Sequence, residues 1–321
     1  MDKVLNYIFR EEDLEDTAGG LINLVLRNRV GVTGHEISSA KFHADGITVN
    51  GHRVTVKYRM KPGDVLRVVL PEDRKEQDDI AATEGPLEIL YEDEDLAIVN
   101  KPALTPVHPS YGHYSDSLGN YMAYYRRNRG LDGICRVIGR LDIDTSGAVI
   151  FAFNKAAAGR LVRQRDKGEL VRTYHALVHS IFAEDKMNGV LQSRMDRVEG
   201  EKLLRQIRTD GSGLEAVTRY SVIAQNDISD AALVQFRIDT GRTHQIRVHM
   251  ADAAHPLYGD PLYGKAEDDG FFNSLGYRKH SLLHAAALTL LQPFTGERIE
   301  IKVPYPDDFR EAATVLKLLR Q

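Results

Sequence analysis

The stretch RLDIDTSGAVIFAFN, residues 140–154, joins a polar turn to a strongly apolar run. The run from Ala148 to Phe153 predicts a buried strand, since a short apolar run beside turn-forming residues is typical of one. Asp142 and Asp144 lie in the turn directly before it. A carboxylate in this position can serve as a nucleophile or base, and on these facts alone it can equally be an ordinary turn aspartate.

Further strands and helices are indicated on both sides of this stretch. Residues 155–168 predict a helix that ends at Gly168, and residues 243–254 have a helical period as well. Because long helices often do not separate the predicted strands, we expect an α+β fold with a mixed, mostly antiparallel sheet. The strands are predicted at residues 87–102 (two, around an acidic turn), 172–182, 214–226 and 232–241.

Residues 1–75 predict a separate small α/β domain. Helices are indicated at 21–30 and 34–46, and alternating apolar residues then predict a hairpin around Asn50-Gly51 and a strand at 65–70. The polar, charged and proline-flanked sequence that follows is typical of a linker. We therefore expect the small domain at 1–75, a linker at 76–86 and a larger domain at 87–321.

The charge of the chain is unevenly distributed. The net charge is −4, which argues against a protein that coats nucleic acid nonspecifically. Residues 20–70 nevertheless contain eight Lys or Arg and three Asp or Glu. Two helices followed by a β-ribbon with Val-Asn-Gly and Lys-Pro-Gly-Asp turns resemble the S4 RNA-binding domain. This resemblance implies a basic RNA-binding face, with Arg27, Arg29, Lys41 and Arg53 as candidates; a solvated charged surface is the alternative.

Composition restricts the cellular environment. The one cysteine, Cys135, excludes an internal disulfide and suits a reducing compartment. The acidic N-terminus is unlike a signal peptide, and the longest apolar runs are far too short to span a bilayer. We therefore expect a cytoplasmic protein that does not bind membranes.

A second stretch rich in polar side chains is TGRTHQIRVH, residues 240–249. On a helix that begins at Thr243, His244 and Arg247 are three residues apart and share a face. His244 and His249 are five apart, so they lack the spacing of a helical metal site, and we expect no metal. Ile246 can face the core.

These stretches, together with three others in the same order, resemble the RluA family of pseudouridine synthases. The resemblance extends over about 170 residues and is carried by five segments. They are Tyr91–Asp95 with Asn100-Lys-Pro102 and His108-Pro109, then Arg140–Gly147, Arg172–Val178, Gly241–His249 and His255–Asp260.

The resemblance implies the pseudouridine synthase fold and an enzyme that isomerises uridine to pseudouridine in structured RNA. Asp142 is then the catalytic carboxylate, Arg247 pairs with it and holds its pKa down, and Tyr174 stacks on the target base. Asp142 can attack C1′, add to the base or abstract a ribose proton, and the sequence does not choose. The remaining substrate-binding candidates are Arg140, which can fill the space left by a flipped base, and Arg242, His244 and Gln245.

The resemblance also bears on substrate, cofactors and assembly. The reaction involves no net redox change, so neither nicotinamide nor flavin is expected. The S4-like domain favours rRNA over tRNA as the target, by analogy. We expect a monomer that does not bind DNA.

The chain departs from the family pattern at two positions. Gly139 stands where the family usually has histidine, which puts in doubt any role of that ring. Arg172 stands where lysine is frequent, and the charge is kept.

Two other classes of protein fit parts of the sequence. Asp144-Thr-Ser-Gly147 suggests an aspartic protease, but an extra residue interrupts the motif and no second copy is present. A noncatalytic RNA-binding protein would retain the S4-like domain. The simultaneous presence of Asp142, Tyr174 and Arg247 favours the enzyme.

Overall fold

The computed structural model describes residues 2–72, 80–131 and 133–319. Its N-terminal part forms a four-stranded antiparallel sheet with strand order β1-β4-β2-β3 and two helices. The elements are β1 (Lys3–Ile8), α1 (Ile22–Asn28), α2 (Gly34–Ala40), β2 (Ile47–Val49), β3 (His52–Arg53) and β4 (Val65–Leu70).

Local sequence signals account for these elements. The Thr33 hydroxyl accepts the N–H of Glu36 and the Glu36 carboxylate accepts the N–H of Thr33, a capping box that starts α2. Asn50 and Gly51 have φ of 52° and 81°, as a tight hairpin between β2 and β3 requires. Helices α1 and α2 were predicted, although α2 ends six residues before Gly46. Strand β1 was not predicted.

The rest of the chain is built on an eleven-stranded sheet with order β11-β10-β12-β13-β9-β14-β8-β6-β5, to which β15 and β7 add beside β14 and β8. Its strand pairs are antiparallel except for β8 and β14. This confirms the predicted mixed, mostly antiparallel α+β fold. The strands are β5 (Glu88–Glu92), β6 (Leu96–Lys101), β7 (Arg136–Ile138), β8 (Ser146–Ala152), β9 (Val171–His179), β10 (Asn188–Arg197), β11 (Arg205–Arg208), β12 (Leu214–Asn226), β13 (Ala231–Ile238), β14 (Leu283–Leu291) and β15 (Arg298–Lys302).

Within the described residues five helices accompany this sheet: α3 (Leu118–Asn128), α4 (Lys155–Asp166), α5 (Gln245–Asp252), α6 (Asp268–Leu275) and α7 (Asp307–Val315). Helix α4 follows the prediction, with Asn154 as its N-cap. The prediction that α5 begins at Thr243 is wrong. His244 has φ of 58°, in the left-handed region, so the helix cannot include it. In the part of the chain that the structure describes, no helix is long and apolar enough to cross a membrane.

The two sheets are joined by polar and apolar contacts. Lys3 Nζ in β1 lies 2.7 Å from carboxylate oxygens of both Glu94 and Asp95 in the β5–β6 turn. Arg160 of α4 donates to the carbonyl of Gly31 at 3.1 Å, and Ala156 of the same helix packs in the N-terminal core. These contacts hold the small sheet against the large one.

The predicted linker lies partly outside the described residues, at 76–79. Its remaining residues, 80–86, form neither helix nor strand. The division into domains at 1–75 and 87–321 stays a prediction.

Candidate active site

The turn that carries Asp142 connects β7 to β8. It begins at Gly139, whose φ of 72° suits glycine, and Leu141 anchors it by packing in the main core. The N–H of Thr145 donates to the carbonyl of Asp142 at 3.1 Å and closes the turn. The Asp142 side chain is thereby held on a short, well-anchored loop at the start of a buried strand.

The far end of this turn is fixed against β14. A Cβ at Gly147 would lie 2.4 Å from the carbonyl oxygen of Ala285, so only glycine allows β8 and β14 to approach in parallel here. Next to it, Ser146 Oγ lies 2.8 Å from Nδ1 of the buried His284. The polar turn is therefore seated on a rigid core.

Arg247 of α5 is almost fully buried and is surrounded by three carboxylates. Its Nε and Nη2 donate to the two carboxylate oxygens of Asp260 at 2.6 and 2.7 Å, a bidentate pair. Nη1 lies 3.9 Å from Asp142 Oδ2, and Nη2 lies 3.7 Å from Asp144 Oδ2. Asp260, and not Asp142, is therefore the principal partner of Arg247.

The three carboxylates differ in their access to solvent. The Asp142 side chain is 27% exposed, that of Asp144 is 11% exposed and that of Asp260 is 0% exposed. Asp260 is committed to Arg247 and to the backbone N–H groups of Leu262 and Tyr263. Of the three, Asp142 has the best access to a bound substrate.

A buried lysine, Lys101, donates a hydrogen bond to the turn. Lys101 Nζ donates to the carbonyl oxygens of Pro102, Thr105 and Ile143, at 3.0, 2.6 and 2.9 Å. Burial lowers the pKa of Lys101 to about 7, opposed by the charges of Asp144 and Asp142. Three carbonyl acceptors match the three donors of an ammonium group, so this residue ties the β6 end to the Asp142–Asp144 turn.

Burial also determines the ionisation of Asp142. It raises the pKa of Asp142 above its ordinary value, and the charges of Arg247, Lys101 and Arg140 oppose that increase. We expected Arg247 to hold the pKa of Asp142 down. The charge of Arg247 does lower this pKa, but burial outweighs it and the pKa of Asp142 is raised overall. Most of the Arg247 charge is taken up by Asp260, which itself raises the Asp142 pKa.

Tyr174 lies on β9, opposite Phe236 of β13, and is buried in the same core cluster as Leu141. Its hydroxyl accepts from Arg172 Nη1 at 3.4 Å, and Arg172 Nη2 donates to the carbonyl of Ile138 at 3.3 Å. Arg172 thus links Tyr174 to the residues that lead into the Asp142 turn.

The two departures from the family pattern lie side by side. A Cβ at Gly139 would be 3.2 Å from Arg172 Nη1. A side chain at position 139 would therefore displace the guanidinium of Arg172, and the φ of 72° independently favours glycine there.

The segment Gly241–His249 places its polar residues in different roles. Arg242 Nε donates to the carbonyl of Glu215 at 2.8 Å, and its side chain is half-buried. His244 Nδ1 lies 3.0 Å from the hydroxyl of Tyr263. These two residues remain candidates for substrate contact.

Gln245 does not support the predicted substrate contact. Its Nε2 donates to the carbonyl of Val217 and to Thr218 Oγ1, and its Oε1 accepts from Thr240 Oγ1 and the N–H of Arg242. Both donors and both lone pairs of the buried amide are satisfied within the protein. Gln245 therefore fixes the turn before α5 onto β12.

Arg140 is exposed and directly follows Gly139, the first residue of the turn. Burial lowers the pKa of His108 in the opening motif, and the charge of Arg140 contributes to the decrease. The candidates Arg27, Arg29, Lys41 and Arg53 lie in the N-terminal part of the chain and not at this turn.

Three residues with clear roles at the site were not assigned one from the sequence: Lys101, Asp260 and Tyr263. Lys101 and Asp260 both belong to motif segments, so their positions carried a signal. Their partners lie 42 and 13 residues away along the chain, and only the fold brings them together.

Comparisons with known proteins agree with this geometry. Residues 95–252 match the family model described as RNA pseudouridylate synthase. A Bacillus subtilis protein named Uncharacterized RNA pseudouridine synthase YlyB is 36% identical over 268 residues, which cover 83% of this chain and 84% of the relative. Ribosomal large subunit pseudouridine synthase D of Zymomonas mobilis is 34% identical over 262 residues, 79% of each chain.

A solved structure has the same fold. Human RNA Pseudouridylate Synthase Domain Containing 1 has a TM-score of 0.55 and 25% sequence identity, and the match covers 68% of this chain and 83% of that one. Taken with the curated relatives and with the placement of Asp142 beside Arg247, this shows that the chain belongs to the RluA family of pseudouridine synthases and is an RNA pseudouridine synthase.

Proposed function

We propose that this enzyme isomerises uridine in ribosomal RNA and that Asp142 is its catalytic carboxylate. The observation that carries the assignment is the difference among the three carboxylates around Arg247. Asp260 is inaccessible and accepts two hydrogen bonds from the guanidinium, whereas Asp142 is the most exposed of the three. A group that reacts with a substrate must be accessible to it, and a buried cation beside it favours the ionised form.

The chemistry needs this ionised carboxylate. The C1′–N1 bond of uridine breaks, the uracil turns, a bond forms between C1′ and C5, and the proton on C5 leaves while N1 gains one. Asp142 attacks C1′, adds to the base or takes a ribose proton, and each of these roles requires the ionised form. The charges of Arg247 and Lys101 oppose the increase in the Asp142 pKa that burial causes.

A uridine in structured RNA has to leave its stack to reach Asp142. Unstacking costs a few kcal/mol, which contacts within the site must offset. Tyr174 is proposed to stack on the flipped base, and Arg172 fixes its hydroxyl. Arg140, exposed beside the turn, is proposed to fill the vacated space in the RNA.

The N-terminal part is proposed to act as an S4-like RNA-binding domain. Lys41 and Phe42 follow α2, and Arg53 Nη2 donates to the carbonyl of Lys41 at 3.1 Å. The Phe42 ring is 79% exposed and lies 4.9 Å from Lys41 Nζ. An exposed ring beside a lysine is suited to stacking on an unpaired base next to a phosphate.

The two arginines of the α1 region contribute unequally to this face. Arg27 is exposed, and its Nε donates to Asn23 Oδ1 at 3.4 Å. Arg29 is engaged by Asp13 and Asp16, both at 2.9 Å, so its charge is largely satisfied within the protein. We therefore assign the RNA-binding face to Lys41, Phe42, Arg53 and Arg27 first.

Substituting both Lys41 and Arg53 by alanine should weaken RNA binding and reduce its salt dependence. Each lost phosphate contact lowers the slope of log affinity against log salt by about one. The measurement is a filter-binding titration at several salt concentrations. An Arg298→Ala/Arg310→Ala variant, which removes two exposed arginines near the C-terminus, is the matched control. An unchanged slope in the Lys41/Arg53 variant would contradict the proposed face.

The choice of ribosomal RNA rests on relatives named ribosomal large subunit pseudouridine synthase D and on the proposed S4-like domain. We expect tritium release from C5-tritiated large-subunit rRNA transcripts at low enzyme concentration, and little from tRNA transcripts. Release from tRNA with comparable kcat/KM would contradict the rRNA assignment, and no release from either RNA would contradict the proposed function altogether.

We propose that the enzyme acts as a monomer.

A further inference from the structure

Tyr263 connects three parts of the site without belonging to the residues assigned to the reaction. Its hydroxyl accepts the N–H of Arg205, the first residue of β11, at 2.8 Å. The same hydroxyl lies 3.0 Å from Nδ1 of His244. Its ring faces Arg247, whose Cζ lies 5.4 Å from the ring centroid. Asp260 accepts the Tyr263 N–H at 3.0 Å, so the carboxylate that holds Arg247 also holds this tyrosine.

These bonds favour one direction for the hydrogen bond to His244. A backbone N–H can only donate, so the bond from Arg205 uses a lone pair of the Tyr263 oxygen. The hydroxyl keeps its own proton to donate, and among the described residues His244 Nδ1 is the acceptor within hydrogen-bonding distance of it. An Nδ1 that accepts this proton belongs to a neutral imidazole whose own proton lies on Nε2.

The ionisation of His244 agrees with this arrangement. Burial lowers the pKa of His244 to about 4, and the charge of Arg247 contributes to the decrease. Charges on Asp260 and Asp144 act in the opposite direction and are outweighed. The ring is then uncharged at neutral pH.

The backbone of His244 is strained, and this residue lies three positions before Arg247. Its φ of 58° places a non-glycine residue in the left-handed region immediately before α5. Such conformations persist where surrounding contacts impose them, and they concentrate at functional sites. Here the bond to Tyr263 is the side-chain contact that holds the ring.

We propose that the Tyr263 hydroxyl is a positioning group that fixes His244 as the Nε2–H tautomer, so that His244 presents a neutral donor to a hydrogen-bond acceptor of the RNA. The bond to Arg205 further couples this donor to the β10–β11 hairpin. The inference rests on the proposed assignment of His244 to substrate binding. It adds a residue that positions that contact and a definite protonation state.

Kinetics test the coupling. Tyr263→Phe keeps the ring beside Arg247 and removes only the hydroxyl, so we expect kcat/KM to fall about three- to tenfold, the scale of one lost hydrogen bond. His244→Ala should lower it at least as much, and the double variant should behave like His244→Ala alone because both changes remove one interaction. Tyr277→Phe removes another tyrosine hydroxyl, bonded to Glu311, and is the matched control.

Spectroscopy tests the tautomer independently of activity. Long-range ¹H–¹⁵N correlation spectra of the histidine rings, with the His244 signals assigned by their loss in His244→Ala, report which nitrogen carries the proton. We expect the Nε2–H form of His244 in the wild type from about pH 5 to about pH 7, because burial lowers the pKa of the ring to about 4. In Tyr263→Phe, Nδ1 loses its donor, so the Nδ1–H or protonated form should rise.

The outcomes separate the two proposals. An Nδ1–H tautomer in the wild type, or additive losses in the double variant, would overturn the role of Tyr263. Wild-type kinetics for Tyr263→Phe combined with an impaired His244→Ala would overturn it while leaving His244 as a substrate contact. Wild-type kinetics for His244→Ala would refute the substrate contact of His244, and the role of Tyr263 would fall with it.

Discussion

Asp142→Asn should abolish pseudouridine formation while leaving RNA binding within about twofold of wild type. Loss of a reacting group lowers kcat on the order of 10⁴-fold or more in other enzymes. The asparagine has the same shape and the position is partly exposed, so the fold should tolerate it. Tritium release from C5-labelled RNA measures the first effect, and a binding titration with the same RNA measures the second.

Asp144→Asn is the informative comparison for this result. Asp144 sits on the same turn and lies 3.7 Å from Arg247. Its side chain is less exposed than that of Asp142, so we expect a smaller loss of activity. An active Asp142→Asn enzyme together with an inactive Asp144→Asn enzyme would transfer the catalytic role to Asp144.

Arg247→Met should lower both the activity of the enzyme and its free energy of unfolding. Activity should fall about 10²- to 10³-fold, the scale for losing one preorganised charged group at a reacting centre. The free energy of unfolding should fall by about 3–5 kcal/mol, because Asp260 would be left as a buried charge without its partner. Denaturant titration followed by circular dichroism measures the stability.

A second substitution separates these two effects. Asparagine at position 260 removes the orphaned charge and keeps an oxygen that can accept from the N–H groups of Leu262 and Tyr263. The Arg247→Met/Asp260→Asn variant should therefore regain much of the stability without regaining activity. If activity returned with stability, Arg247 would be a structural residue and not part of the catalytic site.

Much of the fold was predictable because its signals are local. The apolar run from Ala148 to Phe153 predicted β8, which is buried on both faces, and Asn50-Gly51 predicted the hairpin between β2 and β3. Strand β1 was missed because its alternating pattern is short and its pairing partner β4 is distant in sequence, from Ile8 opposite Val65 to Lys3 opposite Leu70.

The site was predictable in its residues and less so in its contacts. Asp142, Tyr174 and Arg247 were assigned through the family resemblance, and the fold places Arg247 beside Asp142. That Arg247 is bound first by Asp260 depends on the turn after α5, which no periodicity describes. The left-handed backbone of His244 was likewise hidden, since the helical period of its neighbours predicted a helix through it.

The contacts of Lys3 with Asp95, and of Arg160 with Gly31, set the distance between the proposed RNA-binding face and Asp142. A substrate that engages both must place its target uridine at that distance from the bound helix or loop. We therefore expect the enzyme to select uridines partly by their distance from the RNA segment bound to the N-terminal face, and not only by the bases next to the target. Loosening the junction would widen the set of modified sites before it slowed the reaction at any one of them.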